Sequence, residues 1–331
     1  MFYNMKVLVT GANGLLGHHV VFELLKRNFS VRIIVRNLKN ISFDLNTVEI
    51  FDGDFTIYEN MKIAAQNCDA IIHIAAVTAT DLLHYDDYKK INVDVTAMLI
   101  KVAKELNINR IVYVSSSNTI GFGSEQALSD ERFDIQYPFT NSFYARSKVE
   151  SEKLIIEASK TGDKHFIIIN PTFMIGAFDT KPTSGKLMLM GYKKWILFLP
   201  KGGKNFVGTN AVACAICNAL TQGKNGERYL ASGVNLSFNE FYKLQKAICN
   251  YKQITILLPN LLLVLIGKVG DLFRLFGIKT DICSMNIHQL IIQEYYSNQK
   301  GIKELNMPQT NLKISVKEAI DWFYPQLPKS D

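Results

Sequence analysis

Apolar residues along the first half of the chain fall into two alternating kinds of run. Short β-branched and aliphatic stretches occur at Val7-Leu8-Val9, Ser30-Val-Arg-Ile-Ile-Val-Arg36, Val48-Glu-Ile-Phe-Asp52, Ala70-Ile-Ile-His-Ile74, Arg110-Ile-Val-Tyr-Val114 and His165-Phe-Ile-Ile-Ile-Asn170. Between them, apolar residues recur at helical spacing in His18 to Lys26, Ile57 to Asn67, Tyr88 to Leu106 and Ser142 to Ser159. The first set predicts strands and the second helices. Strands as apolar as Ala70 to Ile74 suit the interior of a parallel sheet. The alternation therefore predicts an α/β chain, a doubly wound parallel sheet with right-handed crossovers.

The turn after the first strand carries the densest chemical signal. Thr10-Gly-Ala-Asn-Gly-Leu-Leu-Gly17 puts glycines at 11, 14 and 17. Gly11 can take the positive φ of a tight turn, a bare Gly14 lets a diphosphate approach the backbone, and Gly17 lets the helix lie close to its strand. The free amides and positive dipole at the helix start would face the anion. A chance glycine cluster is the plain alternative, but its place directly after the first strand favours a dinucleotide site. The residues expected to cradle it are Gly11, Asn13, Gly14, Leu15, Leu16 and Gly17.

The second strand ends in Arg36, with Lys39 nearby and no acid between Ser30 and Asn40. NAD-binding folds usually place an acid there for the ribose 2′-hydroxyl, whereas a guanidinium can fork onto a 2′-phosphate. NADP is thus the expected cofactor, with NAD the alternative. Asp54, followed by Phe55, either accepts from the adenine amino group or makes a turn. His73 reads as a satisfied core histidine, and Ala75 and Ala76 as small residues beside the cofactor.

Ser115-Ser-Ser117 ends the strand that begins at Arg110, at the sheet edge where such folds bind ligands. In Tyr144-Ala-Arg-Ser-Lys148, i, i+4 spacing puts phenol and ammonium on one helical face. A tyrosine titrates near ~10 unperturbed. A nearby ammonium and an oxidised nicotinamide would bring that value down, so that Tyr144 exchanges a proton with a substrate oxygen held by Ser117. Lys148 would also hold the ribose hydroxyls.

Together, Thr10-Gly-x-x-Gly-x-x-Gly17, Asp54, Ser115-Ser-Ser117, Tyr144-x-x-x-Lys148 and Asn170-Pro-Thr-Phe-Met-Ile-Gly176 resemble the extended short-chain dehydrogenase/reductase superfamily, the NAD-dependent epimerase/dehydratase family. The arginine segment Val31 to Arg36 and the stretch 170–176 are most similar to its dihydroflavonol reductase and 3β-hydroxysteroid dehydrogenase branch. The resemblance implies a Rossmann domain, the triad Ser117, Tyr144 and Lys148, nicotinamide-side contacts at Ser115, Asn170, Pro171 and Thr172, and a homodimer. Nucleotide-sugar epimerases typically carry asparagine where Phe173 falls, and the dehydratases an Asp-Glu pair where this chain has Asn118-Thr119. Gly176-Ala177 and Asn210-Ala211 also depart from the family pattern and put the substrate pocket in doubt. The reading is an NADP-dependent oxidoreductase acting on a carbonyl or secondary alcohol of a small, fairly apolar substrate. An NAD-dependent nucleotide-sugar epimerase or dehydratase and a non-catalytic dinucleotide sensor are its rivals.

Composition narrows the field further. The 331 residues are 48% hydrophobic and 20% charged, which is globular. The net charge of +7 comes from scattered lysines without a nucleic-acid signature, so no nucleic-acid partner is expected. Of the five cysteines, Cys214 and Cys217, at helical spacing on one apolar face, read as small core residues and not as a redox or metal motif. The odd count, with a strand beginning almost at once, is consistent with a reducing cytoplasm.

The expected division is a dinucleotide domain at 1–176, rejoined by 205–233, and a smaller, mainly helical substrate domain at 177–204 and 234–331. Thr180 to Gly185 should be a loop over the substrate and Lys201 to Lys204 a turn. Val212 to Leu220 and Phe238 to Asn250 should be helices, the second opened by a Ser237/Glu240 capping box. Arg228 to Ala231 should be a strand of the main sheet, and Glu318 to Phe323 should lie in a closing helix. Leu257 to Phe276 is the most apolar stretch; charges interrupt it, so it reads as core or pocket lining, with membrane-surface contact as the alternative.

Overall fold

The computed structural model describes residues 5–79, 81–162, 164–180 and 184–323. It opens with β1 (Lys6–Thr10), α1 (Leu15–Lys26) and β2 (Ser30–Val35). β3 (Glu49–Asp52), α2 (Tyr58–Ala65) and β4 (Ala70–His73) follow. The helix expected from Tyr88 begins earlier: α3 (Tyr85–Tyr88) runs through a π-turn at Lys89–Val93 into α4 (Asp94–Glu105). Then come β5 (Arg110–Val114), α5 (Phe143–Ser159) and β6 (His165–Pro171).

The region after β6 holds more regular structure than its irregular pattern suggests. β7 (Phe173–Ile175), α6 (Gly185–Gly191), β8 (Ile196–Leu199), β9 (Gly203–Gly208) and α7 (Thr209–Asn218) come first. β10 (Arg228–Ala231), β11 (Val234–Ser237), α8 (Phe238–Cys249), β12 (Ile254–Leu257) and α9 (Asn260–Leu275) follow. The described chain closes with α10 (Ser284–Ile291), β13 (Gln293–Glu294), α11 (Gln299–Leu305) and α12 (Leu312–Phe323).

Seven strands form the main sheet in the order β10-β6-β5-β4-β1-β2-β3, every pair parallel. Chain order reverses between β1 and β4, which opens a crevice at the carboxyl ends of those strands. Period-two alternation divides the core. Val7 and Val9 face α1 and α7 in one apolar layer, and Leu8 faces α2, α4 and α5 in the other. Each fully buried side chain of this kind contributes roughly 1.5–3 kcal/mol.

The C-terminal part carries strands as well as helices: β11-β9-β13 with β7 on β9, and a β12-β8 ribbon. Its own core packs Phe206 face to face with Phe241, ring centroids 4.3 Å apart. Two expectations change here, and a third falls partly outside the described residues. Lys201 to Lys204 is only half a turn, because Gly203 already pairs with Ser237 in β9. Positions 181–183 of the Thr180 to Gly185 loop lie outside the described residues. The 257–276 stretch is mostly not core: Leu261, Leu265, Leu275 and Phe276 are exposed, because α9 rests on α10 through one narrow side only. The capping box is present, Ser237 and Glu240 each holding the other's backbone N–H.

Candidate functional site

The glycine turn is built by close approach. Gly11 has φ +73°, and a Cβ there would lie 2.8 Å from the Ala75 nitrogen. A Cβ on Gly17 would lie 2.0 Å from the Gly11 carbonyl oxygen, so only glycine lets α1 start this near the turn. Gly14, the N-cap of α1, has open space before it, its nearest approach being the Gly11 oxygen at 3.5 Å. Leu15, Leu16 and Gly17 occupy the first turn, whose amides lack helical acceptors. Asn13 is half-buried beside them. This open, amide-lined cradle fits a dinucleotide pyrophosphate.

The strand ends around the cradle are tied together. Thr10 Oγ1 accepts the amides of Ile74 and Ala75, both at 3.2 Å, and meets His73 Nδ1 at 2.9 Å. His73 is fully buried, stacked 5.9 Å from Tyr113, and burial with Lys148 nearby pushes its pKa down to about 3. It is the satisfied core histidine expected. Phe55 packs edge-on against it at 6.4 Å. Ala75 is buried and Ala76 half-buried, at the mouth of the crevice.

Arg36 and Lys39 are exposed just beyond β2. Arg36 Nη1 lies 3.8 Å from Asp54 Oδ2. Asp54 makes the turn: its carboxylate accepts the Thr56 amide at 2.9 Å and hydroxyl at 2.8 Å. Despite some desolvation, these bonds and Arg36 hold its carboxyl below the usual range.

Tyr144 and Lys148 project from one face of α5, which Ser142 caps by accepting the Ala145 amide at 3.3 Å. The spacing brings them to the end of β5 as expected, but details differ. Burial raises the Tyr144 pKa above its ordinary value instead of lowering it. The Lys148 ammonium points elsewhere: Nζ donates to the Val114 carbonyl at 2.8 Å and to the Tyr113 hydroxyl at 3.3 Å. Burial brings Lys148 itself down to about 7. The hydroxyl interacting with the Tyr144 phenol is that of Ser116, while Ser117 is turned toward Tyr296, whose hydroxyl donates to the Ser117 carbonyl at 3.4 Å.

Sequence reasoning missed two residues. Glu152 extends the Tyr144–Lys148 face by another turn and is buried. Its Oε1 accepts from Thr119 Oγ1 at 2.8 Å and Asn170 Nδ2 at 2.6 Å, and Arg228 lies 3.8 Å from Oε2. Burial raises its pKa. The signal was the acid at i+8 on a helix already singled out. Asn92 sits in the π-turn, where it clamps Val77 through both its amide and its carbonyl and donates to Ser147 at 2.9 Å. A polar residue within Ile91-Asn92-Val93 was its only trace.

Asn170 also donates to the Ser116 carbonyl at 3.1 Å, while its own Oδ1 is buried without a partner. Pro171 is buried at the end of β6. Thr172 is committed elsewhere, its hydroxyl donating to Asn205 Oδ1 at 2.7 Å. Ser115 Oγ lies near Glu152 but outside hydrogen-bond geometry, and it too is buried without a partner. Two of the departures from the family pattern, Ala177 and Asn210, meet at His19, which contacts Asn210 at 2.6 Å and the Ala177 carbonyl at 3.1 Å. All five cysteines are free thiols, and among the described residues no cluster of His, Cys, Asp or Glu could hold a metal.

A glycine cradle at the switch point, facing a tyrosine–lysine pair, defines a nicotinamide-dinucleotide enzyme of the extended short-chain dehydrogenase/reductase type. The profile of the NAD dependent epimerase/dehydratase family matches residues 7–197, and the chain belongs to that family. It is 27% identical to a putative dihydroflavonol 4-reductase from Synechocystis, over 95% of this chain and 93% of the relative. It is 26% identical to sterol demethylase protein B of Methylococcus capsulatus, over 96% and 98%. Among solved structures, UDP-glucose 4-epimerase from Thermotoga maritima superposes with a TM-score of 0.77 at 15% identity, over 98% of this chain and 100% of that one. That last likeness is one of fold.

Proposed function

We propose that this protein is an NADP-dependent reductase that moves a hydride between nicotinamide and a carbonyl or secondary alcohol of a small, fairly apolar substrate. The observation that carries the reading is the placement of Tyr144 and Lys148 on one face of α5, against the end of β5. The bound cofactor would supply the hydride. Burial keeps the Tyr144 phenol protonated at neutral pH, the state needed to donate to a carbonyl oxygen as it becomes an alkoxide. A serine hydroxyl from 115–117 would hold that oxygen, and the Ser116 hydroxyl interacts with the phenol. A protonated Lys148 would lower the cost of the phenolate left behind. With Lys148 brought down to about 7, reduction should decline as pH rises through neutrality and the lysine loses its proton, while oxidation of the alcohol, which needs the phenolate, should rise on the alkaline side. Family relatives named as reductases support the direction.

The exposed Arg36 supports NADP, since a guanidinium can fork onto a 2′-phosphate. Calorimetric titration should show NADPH binding about tenfold or more tighter than NADH, and Arg36→Ala should erase the difference. Equal affinities would remove NADP from the reading. Screening ketones, aldehydes and nucleotide sugars with the preferred cofactor then tests the substrate class. A nucleotide-sugar isomerase would show itself by turnover without net NADPH consumption. The same reading takes the enzyme as a homodimer, checked by analytical ultracentrifugation.

A further inference from the structure

A surface helix ordinarily turns its apolar stripe inward. α9 does the reverse. Its buried side is narrow: Leu263, Gly267 and Gly270. Its outer side spans about half the circumference at 100° per residue and is apolar almost throughout. Leu261 is 73% exposed, Leu275 82% and Phe276 75%, with Leu265, Val269 and Leu272 each more than half exposed between them.

The ribbon just before it repeats the pattern. Ile254 pairs with Ile196 and Ile256 with Phe198, and all four are exposed. Trp195, 70% exposed, precedes β8. Only Leu258 and Pro259 separate β12 from α9.

Charge on these segments is mostly of one sign. Across 186–200 and 252–282 there are seven basic residues and two acids. Both acids are engaged: Asp271 accepts the Ser284 amide at 2.9 Å, and Asp281 pairs with Lys186 at 3.2 Å. Lys193, Lys194, Lys252, Lys268 and Lys279 are exposed on the same segments as the apolar side chains. A second copy applied through this face would set those lysines against their own kind, because a two-fold contact is self-complementary. Anionic phosphates would neutralise them. A broad apolar face bearing tryptophan, with lysines on the same segments, matches what seats a helix at a bilayer interface. Among the described residues no helix is long and apolar enough to cross a membrane, so this contact would be made in the interface plane.

We propose that α9, with the β8–β12 ribbon, docks the protein on an anionic lipid surface. Apolar side chains enter the boundary below the headgroups, and lysines meet the phosphates. The docked helix reaches the catalytic side of the molecule, since Arg274 Nη2 donates to the Leu82 carbonyl at 3.0 Å, in the segment after β4. The surface stands independently of the reaction proposed above.

The test is cosedimentation of the full chain with vesicles of phosphatidylcholine, with and without phosphatidylglycerol. Binding should be about tenfold or more stronger with phosphatidylglycerol and should weaken in high salt. Leu265→Asp with Leu272→Asp should abolish it, and Lys268→Glu with Lys279→Glu should erase the preference for anionic lipid. These side chains are exposed, so the melting temperature should hold and certify folding. Failure to pellet with either vesicle overturns the proposal. So does a dimer in ultracentrifugation that Leu265→Asp dissolves, which would make the occupant a second copy. NADPH titration of the same samples reads the catalytic proposal separately.

Discussion

α5 and α9 are nearly the same length, 17 and 16 residues, yet they are inside out relative to each other. α5 buries Ser147, Lys148, Ser151 and Glu152, while α9 exposes most of its leucines. Taking Lys148 and Glu152 out of water is costly, and each is compensated by fixed partners: Val114 and Tyr113 for one, Thr119 and Asn170 for the other. Leaving leucine in water forgoes roughly 1.5–3 kcal/mol apiece. A fold at its stability optimum would do neither. Both helices depart from ordinary patterning at the places where the two proposals set a partner, cofactor and substrate at α5 and lipid at α9.

The contrast can be broken at either helix. Tyr144→Phe should lower turnover by about a thousandfold or more while NADPH binding persists, measured by NADPH oxidation and calorimetry. Undiminished turnover would leave α5 a merely buried helix. Glu152→Leu should cost roughly 3–5 kcal/mol in denaturant unfolding, because Asn170 and Thr119 each lose one of their acceptors and Arg228 its countercharge. Glu152→Gln should recover much of that loss. On α9 the two sides should separate cleanly: Leu263→Ala, on the buried side, should cost about 2–4 kcal/mol. Leu265→Ser, on the outer side, should change stability by less than about 0.5 kcal/mol.

A pH series sharpens the polar half of the comparison. Burial brings His73 down to about 3 when folded, against about 6.5 for an unperturbed histidine, so between those values the unfolded chain binds more protons. Stability present above that window should fall as pH drops through it, by at most about 1.4 kcal/mol per pH unit from this group. His73→Gln should flatten that part of the melting-temperature profile. An unchanged profile would mean that His73 is not the neutral, buried partner of Thr10.

The parallel sheet and the cradle were legible because local pattern determines them. An apolar run such as Ile71-Ile72 has one suitable place, and Gly11 and Gly17 are demanded by contacts with near neighbours. Tyr144 and Lys148 were legible for the same reason, one helical turn apart. What escaped depends on distant parts of the chain. Glu152 is explained only by Thr119, Asn170 and Arg228, and Asn92 by Val77 and Ser147. Spacing fixes the distance between Tyr144 and Lys148 but not the direction Lys148 takes, and with its ammonium on the Val114 carbonyl burial dominates at the Tyr144 phenol. α9 was misread as core because hydropathy says how greasy a segment is, never which way it looks.

The seat of α9 leaves it no choice in that matter. A Cβ on Gly270 would stand 1.6 Å from the Ile282 carbonyl oxygen, and one on Gly267 2.9 Å from the Ser284 Cα. The helix is keyed to its neighbour by atoms it lacks, and rolling it about its axis would drive leucines into that backbone. The greasy flank therefore cannot be retracted, and it stays turned to solvent whatever surrounds the protein.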